Sequence, residues 1–335
     1  MQAVMAKGGV PPGRPGAFVL AEVPIPAPGP DDLLVRVAAV SVNPVDAKVH
    51  ARMAAGEEKI LGYDACGTVA AAGAAVSGFA PGDRVYYAGD VTRPGCDAEF
   101  HLVDARIAAK APASLDTPAV AALPLTGITA WEALFDRLGF TADAGANAGR
   151  DILVIGGAGG VGSMAIQLAK WAGLRVVATA SRPESADWCR GLGAEIVLDH
   201  RKDLPAQLQA AGLADVSAVF CTTHLETHWA AMAACLRPQG AVCCIDDPSG
   251  PLDITVFKSK CASIHWEFMF ARSMWKTPDM AEQGRILARL AGLLDAGTVR
   301  PTLAAAHSGL DPAVFARAHQ DQLSGRMVGK QVIVF

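Results

Sequence analysis

Residues 151–170 read DILVIGGAGGVGSMAIQLAK: an apolar run, five glycines within seven residues, then an apolar pattern of helical period. The spacing Gly157-x-Gly159-x-x-Gly162, after a predicted strand and opening a predicted helix, is the arrangement that cradles a dinucleotide. The first glycine allows a tight turn, the second lets the backbone approach a pyrophosphate, and the third lets helix and strand pack closely. The helix start adds free N–H groups and positive dipole. No Gly-Lys-Ser/Thr follows these glycines, which excludes an ATP-type phosphate loop.

The next strand selects the nucleotide. A carboxylate at its end would bind a ribose 2′-hydroxyl. Here RVVATA (175–180) ends in Ser181-Arg182-Pro183, with no acid. A hydroxyl and a guanidinium suit a 2′-phosphate, so the expected cofactor is NADP(H). Glu184, after Pro183, reads as a dipole-favouring residue in the first turn of a helix.

Two other patterns are less productive. His224-Leu-Glu-Thr-His228 places two histidines four apart, but the Glu is at the wrong offset for a metallohydrolase and no third ligand is near. It reads as the polar first turn of a helix. The eight cysteines (66, 96, 189, 221, 235, 243, 244 and 261) form no CxxC, and Cys243 and Cys244 lie inside a predicted strand. Reduced, mostly buried thiols and a cytoplasmic location are expected.

The elements that must position these residues fall into two groups. Up to about residue 120 the chain is rich in Val, Ala, Gly and Pro. LLVRVAAVSV (33–42), CGTVAAAGAAV (66–76), DRVYYAG (83–89) and AEFHLVDA (98–105) read as strands. Residues 119–138 have helical spacing, with Pro124 starting a new helix. After Arg150, strands near 152–156, 175–180, 195–199, 216–221 and 241–246 alternate with helices near 160–172, 184–192, 203–211 and 225–236. That order predicts an α/β chain with a doubly wound parallel sheet. A long helix at 279–296, a helix near 311–323 and a strand at 330–335 follow. The expected domains are a β-rich one, 1–120 with 300–335, and a dinucleotide-binding one, 121–299.

A length of 335 residues suits about two domains. A net charge of −4 with no basic run speaks against nucleic acid. No apolar stretch is long enough for a membrane span, and the start lacks the apolar core of a signal peptide. Neither nucleic acid nor membrane is an expected partner.

AALPLTGITAWEAL followed by GGAGGVGSMAIQLAK, behind a β-rich domain, resembles the medium-chain dehydrogenase/reductase superfamily, quinone oxidoreductase (zeta-crystallin-like) branch. VNPVDAKVH (42–50), ILGYDACGTV (60–69), YYAGDVTRPGCDAEFHLVD (86–104) and ATASRPESADWCRGLGAEIVLDHRKDL (178–204) resemble its zinc-type alcohol dehydrogenase-like subgroup. The likeness spans nearly the whole chain. It implies a GroES-like catalytic domain, a Rossmann domain and a homodimer.

Zinc relatives carry Cys, Gly-His-Glu and Cys as ligand positions; here those read Asn43, Gly62-Tyr63-Asp64 and Leu125-Thr126-Gly127. The structural-zinc lobe keeps only Cys96. No metal is therefore expected. Without a Lewis acid, alcohol oxidation is disfavoured, and hydride delivery to a quinone or an α,β-unsaturated carbonyl remains. The expected substrate is small, apolar and electron-poor.

By the same resemblance Asn43 lines the nicotinamide site, Asp46 orients its loop, Lys48 falls near a proton-relay position, and Tyr63 is a candidate hydrogen-bond donor. Asn43, Thr126, Gly160, Val161, Ser181, Arg182, His200, Thr222, Asp246, Phe268 and Lys330 are implied cofactor contacts, besides Gly157, Gly159 and Gly162. Trp266, Phe268, Phe270 and Trp275 cluster as core, subunit contact or roof of an apolar site. Two alternatives stand beside this reading. One is an alcohol or carbonyl dehydrogenase; the other is an NADPH-binding sensor or structural protein without turnover.

Overall fold

A computed structural model describes residues 1–335. The chain forms two compact units, residues 1–128 with 270–335, and residues 129–269.

The first unit opens with β1 (Gln2–Lys7), β2 (Phe18–Glu22), β3 (Asp32–Ser41), α1 (Pro44–Arg52), β4 (Glu58–Ile60) and β5 (Ala65–Ala72). It continues with β6 (Arg84–Tyr87), β7 (Phe100–Asp104), β8 (Ala108–Lys110), α2 (Thr117–Ala121) and α3, whose range Pro124–Trp131 runs past the boundary. The second unit holds β9 (Asp151–Ile155), α4 (Gly160–Trp171), β10 (Arg175–Thr179), α5 (Pro183–Leu192) and β11 (Ile196–Leu198). It then adds α6 (Leu204–Ala210), β12 (Val216–Cys221), α7 (Leu225–Cys235), β13 (Leu236–Cys244) and β14 (Ser263–Trp266). The chain returns to the first unit with α8 (Ala271–Trp275), α9 (Glu282–Asp295), β15 (Leu303–Ser308), α10 (Pro312–Leu323) and β16 (Lys330–Val334).

In the second unit the strand order is β11-β10-β9-β12-β13-β14, and every pairing is parallel. Order reverses between β9 and β12, the point where doubly wound sheets bind ligands beyond the strands' carboxyl ends. The central strands are mostly apolar because both faces are covered: VSAVFC of β12 is buried at all positions. β14 is an edge strand that the sequence reading missed, since SIHW is too short and polar to stand out.

The first unit is built on a mostly antiparallel sheet, β15-β16-β3-β5-β6-β8, with β7 also on β3, and a smaller sheet, β2-β1-β4. Alternation along β3 sends Val35 and Val37 into a core shared with Val69, Val85, Phe315 and Ile333. The domain bounds differ from the expected 121 and 299. α9 belongs to the first unit, where the Tyr86 hydroxyl donates to the Leu287 carbonyl at 2.6 Å and Asp295 accepts from the Ser114 N–H at 2.8 Å. Its amphipathic period gave no sign of which core it covers. The stretch 43–48, expected as a loop, is a helix start: Pro44 stands at its first turn and the Asp46 carboxylate accepts the Asn43 N–H at 2.5 Å.

The core also holds His319, fully buried, 4.7 Å from the Phe18 ring and 6.2 Å from that of His50. Neither of its ring nitrogens has a partner. Burial, reinforced by His50, pushes its pKa down to about 3 from 6.5. The unfolded chain therefore binds more protons between those values. Stability is full above pH 6.5 and drains as pH falls toward 3. Melting temperature against pH should show this decline, and His319→Phe should flatten it. An unchanged slope in that variant would remove His319 as the cause.

Candidate active site

The glycine turn is assembled as its sequence demands, with one adjustment. The left-handed residue is Gly156 (φ +81°), not Gly157. The Gly156 N–H donates to the Thr179 hydroxyl at 3.0 Å, and the Gly157 N–H to the Thr179 carbonyl at 3.1 Å. Thr222 donates to the Ile155 carbonyl at 2.8 Å and lies against Gly156. A Cβ on Gly157 would crowd Ala178 of β10 and Cys189; one on Gly162 would strike the Gly156 carbonyl. A Cβ on Gly159 would meet nothing nearer than that carbonyl, at 3.6 Å. Two of the motif's glycines are thus required by packing. The third faces open space at the start of α4, where it brings no capping side chain to the first turn that holds Gly160 and Val161. This is a cradle that a dinucleotide pyrophosphate fits.

Round the same sheet edge, Ser181 and Arg182 follow β10, and Arg182 is the N-cap of α5. No acid follows β10 directly. Asp246, after β13, accepts the His224 N–H at 3.0 Å. His200, after β11, lies 6.0 Å ring to ring from His228. His224 caps α7 in a left-handed conformation (φ 50°), so it and His228 do not share a helix face. Phe268 is 48% exposed, and Trp266 and Trp275 are exposed as well, so these three are not core.

The first unit collects Asn43, Asp46, Tyr63 and Lys330. Asp46 joins the start of α1 to the segment before Tyr63, because its other oxygen accepts the Gly62 N–H at 3.2 Å. Burial lifts its pKa to about 7, against the pull of the Asn43 N–H. Tyr63 is buried, its ring edge-on to Phe270 at 5.5 Å. Burial and the Asp46 and Asp97 carboxyls hold its hydroxyl protonated well beyond neutral pH. Lys48 lies half-buried on α1. Thr126, buried in α3, turns its hydroxyl back to the carbonyls of Ala122 and Leu123.

The centre of this cluster is a residue given no role by the sequence reading. Asp64 is fully buried; one oxygen accepts the Leu125 N–H at 2.9 Å. The other accepts the Asn43 amide at 3.0 Å and pairs with Lys330 Nζ at 3.3 Å. Lys330 also donates to the Asn43 amide oxygen and to the Val42 carbonyl at 3.3 Å. Its ammonium is thus held within the first unit by Val42 and Asn43, which join β3 to α1, and by Asp64. Burial pushes Asp64 up and Lys330 down, and each charge opposes the shift of the other. The signal was available as an acid in an otherwise apolar stretch, LGYDACG. Its partner, 266 residues away, was not.

These residues do not fit a catalytic zinc. Asn43 and Tyr63 supply no thiolate or imidazole, Asp64 is engaged by an ammonium, and no three His, Cys, Asp or Glu side chains gather to hold an ion. All eight cysteines are free thiols and all but Cys261 are buried. No helix is long and apolar enough to cross a membrane.

Comparison with known proteins agrees with this architecture. Residues 29–113 match the family described as alcohol dehydrogenase GroES-like domain, and residues 160–283 the one described as zinc-binding dehydrogenase. The chain is 41% identical over 308 residues to a zinc-type alcohol dehydrogenase-like protein of Staphylococcus aureus, covering 92% of each. A solved structure described as a candidate zinc-dependent alcohol dehydrogenase of Rhizobium etli shares 48% identity, with a TM-score of 0.95 over 100% of this chain and 98% of that one. An NADPH-dependent alkenal/one oxidoreductase of Arabidopsis thaliana is 37% identical over 187 residues, 52% of this chain and 46% of that protein. The chain is an oxidoreductase of the medium-chain dehydrogenase/reductase superfamily, in the zinc-type alcohol dehydrogenase-like subgroup of its quinone oxidoreductase-like branch.

Proposed function

We propose that this protein delivers hydride from NADPH to a quinone or an α,β-unsaturated carbonyl compound without zinc. The observation that carries the reading is the donor set at the catalytic positions: an amide, a phenol and a buried ion pair in place of metal ligands. Such a set cannot polarise an alcohol as a Lewis acid does. It can orient an acceptor that takes hydride at carbon and develops charge on a distant oxygen. The Arabidopsis relative is named for that chemistry and for NADPH.

NADPH, when bound, supplies the hydride. The Gly156–Gly162 turn and the start of α4 hold its pyrophosphate; Ser181 and Arg182 favour a 2′-phosphate. By the resemblance Asn43 lines the nicotinamide site and Thr126 contacts the cofactor. The Tyr63 hydroxyl, kept protonated, donates a hydrogen bond to the acceptor's carbonyl oxygen. The free, mostly buried thiols suit a reducing cytoplasm.

A screen of NADPH oxidation over quinones, enals, enones and alcohols tests the reading. Turnover is expected with the first three and not with alcohols. Tyr63→Phe should lower kcat by about 100-fold with little change in NADPH affinity. If Tyr63→Phe and Lys48→Ala both keep full turnover, neither residue supplies the hydrogen bond or proton. Tight NADPH binding without turnover on any acceptor would favour a sensor or structural role instead.

A further inference from the structure

We propose that Arg201 is a further specificity-determining residue for the cofactor, meeting the 2′-phosphate from the loop after β11. The proposal rests on the reading of NADPH as the cofactor.

β11 and β10 are neighbours in the sheet, with Thr179 level with Leu198. The loops leaving them therefore emerge side by side at the carboxyl edge. Arg201 crosses that gap: its Nη2 donates to the Ser181 carbonyl at 2.6 Å. The guanidinium thus lies over the residue whose hydroxyl is already assigned to the phosphate. Nε and Nη2 also clamp Asp199, at 3.0 Å and 2.9 Å. The Nη1 hydrogens make no bond to the protein, and the side chain is 63% exposed. A planar fork with one face spent on positioning and one left to solvent is suited to take a phosphate oxygen.

The Asp199 clamp explains how a carboxylate is tolerated here. Asp199 stands just beyond β11, beside the expected phosphate. Uncovered, it would repel a dianion. Bound by Arg201, with Lys202 at 4.0 Å, it is neutralised. Its pKa is held down to about 2 by that guanidinium. Arg201 therefore acts twice: it cancels the acid that follows β11 and presents a second guanidinium beside Arg182.

The test is titration of the full-length protein with NADPH and with NADH, for wild type, Arg201→Ala, Arg201→Lys and the double variant Arg201→Ala/Asp199→Asn. In Arg201→Ala, the Kd for NADPH should rise about 10- to 100-fold, with NADH changing less than about twofold. Arg201→Lys should recover part of the loss. In the double variant NADPH affinity should stay well below wild type, because the direct contact is still missing. Full recovery there would reduce Arg201 to a mask for Asp199 and overturn the contact. An equal loss for both nucleotides would make Arg201 a loop support, also against the proposal, as would no loss at all. A wild type without preference for NADPH fails the cofactor reading itself. A wild type that prefers NADPH beside an Arg201→Ala variant that keeps the preference fails this inference alone.

Discussion

Asp64→Asn should destabilise the protein by about 3–5 kcal/mol, the loss expected when one partner of a buried ion pair is removed. The Lys330 ammonium would remain buried, facing an amide in place of a carboxylate. The carbonyls of Val42 and Asn43 would still accept from it, but neither carries charge. Asp64→Asn/Lys330→Met removes both charges and should regain much of the stability, since no uncompensated charge is then left buried. Turnover should not return with it. The Asn43 amide is held by Ser41, Asp64 and Lys330, and two of those three anchors would be changed. Denaturant unfolding with kcat and KM for the three proteins checks the account. Full activity in the refolded double variant would make the ion pair a stability device only.

The second large effect separates two glycines of one motif. Gly162→Ala should damage the fold of the turn, because the new methyl meets the Gly156 carbonyl and the Gly157 backbone, neither of which can yield. Gly159→Ala should fold and melt like wild type, since no protein atom lies within 3.4 Å of the added carbon. Yet it should lose NADPH affinity by about 100-fold or more, because the methyl occupies the space reserved for pyrophosphate. Differential scanning fluorimetry with and without NADPH reads both outcomes. Wild-type affinity in Gly159→Ala would place the pyrophosphate elsewhere.

How much of this was legible in the sequence differs between the two units. The second unit was read nearly strand by strand, because a parallel sheet covered on both faces requires continuous apolar runs such as ILVI and VSAVFC. Its phosphate turn was read from glycine spacing, although the residue needing positive φ is Gly156, outside the motif's counted positions. The first unit was read less well. β2, β4 and β15 lie at sheet edges, where half-exposed residues blur the alternation. Helix α1 was hidden because Asn-Pro is as common in turns as at helix starts.

The candidate site shows the same division. Asn43, Asp46 and Tyr63 were singled out because they occupy motif positions. Asp64, which ties Asn43 to Lys330 and to α3, was passed over, because its significance is a set of contacts between residues 43, 64, 125 and 330. Arg201 was missed for a related reason: only the adjacency of β10 and β11 brings it to Ser181.

The central claim is zinc-independent hydride delivery to an electron-poor carbon. It is tested most directly by incubating chelated, dialysed enzyme with an enone and NADPH carrying deuterium at the transferable C4 position, with zinc measured on the same sample. The account predicts one deuterium at the β-carbon of the saturated product, turnover at sub-stoichiometric zinc, and no stimulation on adding zinc back. Deuterium at the carbonyl carbon, or activity rising in proportion to bound zinc, would contradict it.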